Sequence, residues 1–398
     1  MSDVKVLKER VMAEVDARRE ALIRMADAIH ANPEVAFQEF ESAALLSRAL
    51  EENGFAVERG VADLETAFVA TLRRGDGGPT VAFLAEYDAL PGLGHACGHN
   101  LIGTSAVGAG LAMKAVLPEL AGTIQVIGTP GEEGGGGKVY MVDAGVFDGV
   151  DAALIVHPSS KNKTRSTSLT SYKISVEFFG QAAHAASKPD EGINALDAVI
   201  QTYNGINALR QHLRDDARIH GVITHGGDAP NIVPEYAAAR FYVRAADMPY
   251  TEEVLEKVRA CAEGAALATG ARLEFKEYAP HYENMLANPK LADLAEANMA
   301  VLGIEVKPLE PKERMGSTDM ANVTQVVPGL HPSIAIGPEE MGGHTAEFCQ
   351  AAGSPAGHEG MIQAAKLMAM TAVDLLAVPA NVSEAWQAFE QQKQAQEG

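Results

Sequence analysis

Cysteine, positive charge and long apolar runs are all scarce in this chain of 398 residues. Its three cysteines are an odd number without repeated spacing, which argues against a disulfide framework and favours a reducing compartment, the cytoplasm. No uninterrupted apolar run has the length of a membrane span, and no signal peptide is expected at the N-terminus. With 32 basic against 53 acidic residues the net charge is −21, which disfavours nucleic acid and anionic membranes as partners.

The length and the order of the predicted elements indicate two domains, one inserted into the other. Residues 4–54 have helical patterns, and short apolar strands then alternate with helices, including one of small residues over 104–117, as in an α/β sheet. A polar stretch at 159–168 precedes a β-α-β-β-α-β order, which is typical of a ferredoxin-like domain. We therefore expect an α/β domain over 1–167 and 284–398, interrupted by an α+β domain over 168–283.

A thiol and an imidazole lie two residues apart at Cys97 and His99, within the segment Gly-His-Ala-Cys-Gly-His-Asn at 94–100. The neighbouring glycines let the backbone approach a bound group closely. Thiolate and imidazole are both good zinc ligands, and manganese or nickel also suits such a set. Two interpretations stay open for this pair alone: metal ligation, or a Cys97 nucleophile with a histidine base.

Two adjacent carboxylates, Glu132 and Glu133, follow a predicted buried strand and precede four glycines. Adjacent side chains diverge, so one carboxylate can bind a metal while the other accepts a proton from water as a general base. His157 ends another predicted strand, where open α/β sheets place their sites, and His344 lies in a glycine-containing loop. The cysteine-nucleophile interpretation leaves these residues unexplained, so we favour a metal site that hydrolyses an amide bond.

The predicted inserted domain carries further candidates. His184 and His225 lie beside small residues, which favours contact with another group, although for His225 a packing role is equally ordinary. Arg244 is predicted on a strand after the segment Asn-Ile-Val-Pro at 231–234. An arginine fork suits a substrate carboxylate, and a surface salt bridge explains the same residue as well.

The motifs taken together resemble those of the zinc-dependent aminoacylase and carboxypeptidase-G family of metallopeptidases. The matching motifs run through nearly the whole chain: Asp88-Ala89-Leu90-Pro91, His95-Ala96-Cys97-Gly98-His99, Gly128-Thr129-Pro130-Gly131-Glu132-Glu133, His184-Ala185-Ala186, Asn231-Ile232-Val233-Pro234 and His344-Thr345-Ala346-Glu347-Phe348. They are most similar to the amidohydrolase subfamily, which includes auxin-conjugate and hippurate hydrolases. Gly316-Ser317-Thr318-Asp319 looks most like the branch that holds one of the p-aminobenzoyl-glutamate hydrolase subunits and the dipeptidases for β-alanyl or basic dipeptides.

The resemblance implies roles for ten residues. Five would ligate metal through a thiolate, an imidazole or a carboxylate: Cys97, His99, Glu133, His157 and His344. Three would be catalytic, as the general base, the residue that orients a ligating histidine and the donor to the tetrahedral oxyanion: Glu132, Asp88 and His184. Two would hold the carboxylate of the substrate: Asn231 and Arg244.

The resemblance also implies one or two divalent ions, zinc or manganese, a dipeptide or N-acyl amino acid as substrate, and a homodimer in which the inserted domain acts as lid and dimerisation domain. Two positions depart from the family pattern. Asn100 stands where many relatives have aspartate, and Glu86 stands where the wider family often has a ligating histidine. The number of ions therefore stays open. A non-catalytic subunit that binds metal or peptide is a further hypothesis, which the intact Glu132 disfavours.

Overall fold

The computed structural model describes residues 3–75, 77–308 and 316–397. These residues divide into two units. Unit 1 contains 3–167, 285–308 and 319–397, and unit 2 contains 168–284 with 316–318. The functional roles predicted for the segments 1–167, 168–283 and 284–398 stay predictions.

Twelve α-helices occur in the described residues, and unit 2 contains two of them, α6 and α7. In chain order they are α1 (Val4–Ala17), α2 (Arg19–Ala31), α3 (Phe40–Glu52), α4 (His99–Met113), α5 (Gly137–Asp143), α6 (Ala195–Leu209), α7 (Met248–Thr269), α8 (Pro289–Val301), α9 (Met320–Thr324), α10 (Ala346–Ala352), α11 (Pro355–Ala377) and α12 (Pro379–Glu397).

The same residues contain twelve β-strands, of which β7 to β10 belong to unit 2. In chain order they are β1 (Ala56–Arg59), β2 (Phe68–Arg74), β3 (Thr80–Ala85), β4 (Gly122–Gly128), β5 (Ala152–Leu154), β6 (His157–Ser159), β7 (Ser171–Phe179), β8 (Arg218–His225), β9 (Tyr236–Arg244), β10 (Arg272–Tyr282), β11 (Gly329–Leu330) and β12 (Ser333–Ala335).

Unit 1 is built on a mixed six-stranded sheet with the order β1-β2-β4-β3-β5-β11. Strands β4, β3, β5 and β11 run parallel to one another, whereas β2 pairs antiparallel with both β4 and the edge strand β1. β6 pairs in parallel with β12 in a small separate sheet. The carboxyl ends of parallel strands meet at one edge of a sheet, which is where ligands bind in such folds. The predicted α/β class is therefore confirmed.

Helix α4 is the central helix of unit 1, and all of its residues are buried. Its small side chains let it lie close to β3: a Cβ added at Gly103 would stand 2.7 Å from the backbone oxygen of Glu86. α11 packs against α4 and α1. α11 has the length and composition of a membrane span, but 83% of its apolar window is buried inside the fold, as in a core helix.

Unit 2 has the predicted element order β7-α6-β8-β9-α7-β10. Its four strands form an antiparallel sheet with the order β10-β7-β9-β8, and α6 and α7 pack against each other and against the sheet. Side chains of β7 and β9, among them Val176 and Phe241, form the core with the helices. This is the architecture that the alternation of strands and helices predicts.

Two predicted helix bounds are wrong. Within the helical pattern predicted over residues 4–54, the stretch 4–31 is divided at Arg18 into α1 and α2. The helix predicted from residue 104 begins at His99, because Gly98 before it takes a left-handed conformation with φ of 77° and so turns the chain into the first helical residue. This earlier start places His99 in the first turn of α4.

Candidate metal centre

Six of the predicted site residues come together in unit 1, although they are distant in the sequence. Their ligand atoms form three overlapping groups, in each of which all atoms lie within 4.8 Å of one another: Cys97, His99 and His157; Cys97, Glu133 and His344; and His99, Glu132 and Glu133. Shared members join the three groups. The fold therefore concentrates one thiol, three imidazoles and two carboxylates in one place, a donor set suited to zinc or another divalent transition metal.

The rings of His99 and His157 are both oriented by a hydrogen bond at Nδ1. His99 Nδ1 donates to Asp88 Oδ1 at 2.8 Å, and His157 Nδ1 donates to the backbone oxygen of Pro158 at 2.6 Å. His99 Nε2 is buried and has no hydrogen-bond partner among the described residues, and His157 Nε2 lies 3.4 Å from Cys97 Sγ. An imidazole fixed through Nδ1 with Nε2 left for the ion is the arrangement that ligating histidines adopt. The residues present therefore fit a metal.

Asp88 also holds the carboxylate side of the centre. Its Oδ2 accepts a hydrogen bond from the backbone N–H of Glu133 at 2.8 Å. Glu133 Oε1 in turn lies 3.2 Å from His344 Nε2. One buried carboxylate thus fixes both a histidine at the start of α4 and the loop that follows β4.

His344 reaches the centre through an unusual backbone conformation. Its φ is +58°, which is uncommon outside glycine, and its backbone N–H donates to the oxygen of Ala96 at 3.0 Å. Gly98, next to Cys97, is also constrained, because a Cβ there would stand 2.5 Å from Cγ of Pro158, the residue after His157. The loops carrying Cys97, His157 and His344 are therefore held against each other.

Electrostatics separate the roles of the two adjacent glutamates. Burial, together with the nearby carboxylates of Glu86 and Asp319, raises the pKa of Glu132 well above its ordinary value. For Glu133, hydrogen bonding to His344 and the charge of His99 overcome the effect of burial and lower the pKa. The two directions agree with the predicted roles, Glu133 as an anionic ligand and Glu132 as the group that exchanges a proton, and these roles stay predictions.

Cys97 is a poor nucleophile in this setting. Burial raises the pKa of its thiol to about 12. The thiolate is the reactive form, so an uncoordinated Cys97 stays protonated at neutral pH. Coordination to a metal would deprotonate it.

A buried ion network that the sequence did not reveal lies beside the centre. Lys138 Nζ is 2.6 Å from Glu86 Oε1 and 2.7 Å from Asp319 Oδ1, and all three side chains are at most 1% exposed. The second oxygen of Glu86 is 3.4 Å from His99 Nε2. His331, also unassigned before, packs edge-on against His157 with ring centroids 5.6 Å apart.

The departure at Asn100 does not affect the donor set. Its side-chain amide donates to the backbone oxygens of Ala26 and Ala352, at 3.4 and 3.1 Å. Asn100 therefore joins α4 to α2 and α10. An aspartate at this position could not donate these bonds.

The remaining predicted residues belong to unit 2. Backbone bonds hold the segment of His184 beside that of Asn231, since Ala185 N–H donates to the oxygen of Asn231 at 3.0 Å. His184 Nδ1 accepts from the backbone of Ala186 at 3.2 Å, which leaves Nε2 as its donor. Arg244 Nη1 donates to Ser317 Oγ at 3.1 Å, while its buried Nε has no hydrogen-bond partner among the described residues. The roles of these three in binding or catalysis stay predictions.

Comparison with known proteins identifies the family. A model of peptidase family M20/M25/M40 matches residues 82–366, which include every residue of the metal centre. The chain belongs to this family. The Xaa-Arg dipeptidase of Mus musculus is 38% identical over 393 residues, covering 95% of this chain and 91% of that protein. One of the p-aminobenzoyl-glutamate hydrolase subunits of Escherichia coli is 42% identical over 281 residues, covering 65% of this chain and 58% of that one.

Solved structures share the fold. YxeP from Bacillus subtilis, described as a dinuclear metal-binding peptidase of the M20 family, has a TM-score of 0.68 at 25% identity and covers 91% of this chain and 99% of its own. An aminobenzoyl-glutamate utilization protein from Klebsiella pneumoniae has a TM-score of 0.73 at 23% identity, with coverage of 90% and 97%. The family, its branch and the reaction class inferred from the motifs are confirmed: this M20 peptidase is a metal-dependent hydrolase of peptide or amide bonds.

The buried ion network generates a prediction about stability. In Lys138→Met the carboxylates of Glu86 and Asp319 would lose their shared cation inside the protein. Breaking a buried pair in this way costs about 3–5 kcal/mol. We expect the free energy of unfolding to fall by that amount, measured by denaturant titration of the metal-free protein.

Lys5→Met serves as the control, because Lys5 forms a solvent-exposed pair with Glu9 at 4.0 Å. An exposed pair of this kind contributes about 0–1 kcal/mol, so Lys5→Met should change the free energy of unfolding very little. Equal effects of the two substitutions would contradict the proposed importance of the network.

Proposed function

We propose that this peptidase is a zinc- or manganese-dependent dipeptidase that also accepts N-acyl amino acids. The observation that carries the proposal is the convergence of Glu132, which has a raised pKa, with five potential ligands. The ligands would be a thiolate, three imidazoles and a carboxylate: Cys97, His99, His157, His344 and Glu133. A bound divalent metal acidifies water and polarises a carbonyl group, which is the chemistry that amide hydrolysis needs.

Glu132 would serve as the general base and then as the general acid. Its carboxylate takes a proton from the attacking water and returns it to the leaving amine as the C–N bond breaks. The raised pKa makes the Glu132 carboxylate a stronger base, and the same group must both accept and release the proton. Asp88 supports the step by fixing His99 and the backbone of Glu133.

Residues of unit 2 would bind the substrate. His184 Nε2 is proposed to donate to the oxygen of the tetrahedral intermediate, an interaction worth roughly 3 to 4 kcal/mol per donor. Arg244 and Asn231 would hold the terminal carboxylate, for which a guanidinium fork is well shaped. Burial lowers the pKa of Arg244, which is the effect expected for a cation partly removed from water without a full counter-charge.

The preferred substrates are proposed to be dipeptides with a basic C-terminal residue. The similarity to the Xaa-Arg dipeptidase of Mus musculus, over nearly the full length of both proteins, supports this class. p-Aminobenzoyl-glutamate is the second candidate, because the relative from Escherichia coli is 42% identical over a shorter stretch. Both substrates present an amide bond next to a free carboxylate.

An activity panel tests the substrate and the metal together. The protein would be stripped with a chelator and assayed with zinc or manganese on Xaa-Arg dipeptides, neutral dipeptides, N-acetyl and N-aroyl amino acids and p-aminobenzoyl-glutamate. We expect chelation to abolish hydrolysis and metal to restore it, with the highest kcat/KM on the Xaa-Arg substrates.

Thiol alkylation supplies the contrasting arm of that panel. Activity that survives complete chelation but is lost on alkylation would establish Cys97 as a nucleophile and refute the metal mechanism. Metal-restored activity confined to p-aminobenzoyl-glutamate would move the assignment to the second substrate. Stoichiometric metal binding without turnover on any substrate would indicate a non-catalytic binding protein.

The two adjacent glutamates should respond differently to the same substitution. Glu132→Gln removes the base but no predicted ligand, so kcat should fall about 100-fold to 10,000-fold, the usual contribution of general acid–base catalysis. Its metal affinity, measured by isothermal titration calorimetry, should change little. Glu133→Gln should instead weaken metal binding. Normal turnover of metal-loaded Glu132→Gln would show that Glu132 is not the general base.

We also propose a homodimer formed through unit 2 and a cytoplasmic location. Strand β8 is the last strand of its sheet, and Val222 and Ile223 on it are 64% and 47% exposed. An open strand with exposed apolar side chains is suited to pairing with a second chain. The cytoplasm would keep the thiol of Cys97 reduced.

Charging this strand should weaken the dimer. We expect Val222→Lys/Ile223→Lys to shift the protein from dimer to monomer in sedimentation or light-scattering measurements, because two ammonium groups would be desolvated or repelled at the interface. Leu267→Lys is the matched control, since Leu267 on α7 is 88% exposed in the same unit. A wild-type monomer at micromolar concentration, or a double variant that dimerises normally, contradicts the proposed surface.

A further inference from the structure

The loop that carries Glu132 and Glu133 is tightly folded. Gly131, Gly134 and Gly136 have positive φ, and Gly136 N–H donates back to the oxygen of Gly131 at 2.8 Å. A Cβ at Gly137 would stand 1.8 Å from the oxygen of Pro130. The glycines permit this turn but do not select it, because glycine is also the residue with the most alternative conformations. Something outside the loop must hold it in place.

Glu39, which precedes α3, supplies one such contact. Its side chain is fully buried; Oε1 accepts from the backbone N–H of Gly131 at 2.9 Å, and Oε2 accepts from Thr66 Oγ1 at 2.9 Å. The backbone oxygen of Thr66 accepts from the hydroxyl of buried Tyr87 at 2.6 Å. Glu39 is therefore anchored at both oxygens, with one of them on the loop.

The two N–H groups on either side of Glu132 are consequently both held by carboxylates. Glu39 binds the N–H of Gly131, and Asp88 binds the N–H of Glu133 at 2.8 Å. The backbone of Glu132 lies between these two fixed points. Asp88 already has a place in the predicted site, whereas no role has been assigned to Glu39.

Phe37 reinforces the contact from the same segment. Its φ is +63°, an uncommon conformation for a bulky residue, and its ring fills the space beside the loop. A Cβ at Gly131 or Gly135 would stand 2.9 or 2.7 Å from that ring. The segment 37–39 thus packs on the loop with a ring and bonds to it with a carboxylate.

We propose that Glu39 is a positioning residue for hydrolysis, which fixes the Gly131–Gly137 loop so that Glu132 and Glu133 keep their places at the metal centre. The inference rests on the proposed function, because it assigns the loop its catalytic purpose. Hydrogen bonding rather than charge carries the effect. Burial and the neighbouring Asp88 raise the pKa of Glu39 to about 7, so its charge is not strongly held.

Three variants separate hydrogen bonding from charge. Glu39→Ala removes both bonds and should lower both kcat and metal affinity about 10-fold to 100-fold, the usual effect of losing a group that supports ligands. Glu39→Gln can accept from Gly131 through its oxygen and donate to the Thr66 hydroxyl through its amide, so both values should stay within about threefold of wild type. Thr66→Val removes only the hydrogen bond from the Thr66 hydroxyl to Glu39, which acts on Glu132 indirectly through Glu39 and Gly131. We expect it to lower kcat about fivefold.

Hydrogen exchange reports on the loop without any assay of activity. The amide of Gly131, followed by mass spectrometry of peptides spanning 129–141, should exchange faster in Glu39→Ala than in wild type and Glu39→Gln. Zinc or manganese titration of the same proteins gives the metal affinity. Hydrogen exchange and metal affinity test the role of Glu39 without any need for turnover. If the activity panel shows no hydrolysis, that result refutes the proposed function but leaves these two measurements to decide the proposal on Glu39.

Glu34→Ala is the matched control. Glu34 lies in the same segment and accepts from Ser42 N–H, Ser42 Oγ and Glu41 N–H at 2.7 to 2.9 Å, but its carboxylate makes no bond to the loop. It should lower the melting temperature without changing Gly131 exchange, kcat or metal affinity.

Unchanged Gly131 exchange and kcat in Glu39→Ala would overturn the proposal, and so would equal losses in the Ala and Gln variants. If Glu39→Ala fails to fold, Thr66→Val decides: wild-type exchange and kcat in that variant overturn the proposal, whereas faster Gly131 exchange together with a lower kcat supports it.

Discussion

The carboxylate of Asp88 is the contact on which the metal centre depends. It accepts from His99 Nδ1 and from the backbone N–H of Glu133, both at 2.8 Å, and it is 1% exposed. Bonds to a buried carboxylate are stronger than neutral ones, and leaving that charge unpaired would be costly. The two bonds therefore couple the start of α4 to the loop after β4. Asp88 thereby holds two proposed ligands, His99 and Glu133, in a fixed relation, and the proposed base Glu132 directly precedes the second of them in the chain.

Sheet topology explains why such distant residues can meet. β3 lies between β4 and β5, and all three are parallel, so the segments that follow them emerge at one edge. Asp88 follows β3, Glu132 follows β4, and His157 follows β5. Each donor is fixed to a strand end rather than to a long loop. The precision required for ligation thus comes from the register of the sheet, which the core packing of α4 stabilises.

The fold class and most of the centre could be predicted, because the signals were local. A histidine or a glutamate pair directly after a buried strand is recognisable in the sequence, and parallel strands bring such residues together. Lys138 could not be placed in the same way. Its partners, Glu86 and Asp319, are 52 and 181 positions away, and no local pattern pairs charges over such distances. The start of α4 could not be predicted either, since it depends on one backbone angle at Gly98.

The balance of charge around the centre has a direct consequence for metal binding. Five carboxylates lie at or next to the site, from Glu86, Asp88, Glu132, Glu133 and Asp319, and Lys138 is the buried ammonium that faces two of them. Burial lowers the pKa of Lys138, but the charges of Asp319 and Glu86 outweigh it and raise the pKa, so this cation is permanent. Lys138 offsets part of the negative charge of Glu86 and Asp319.

The carboxylate of Glu133 has a different partner. Among the described residues it pairs with His344 rather than with a lysine. A divalent cation would offset the negative charge of Glu133. His99 and His157, which Asp88 and the backbone of Pro158 orient through Nδ1, would then be neutral ligands rather than competing cations.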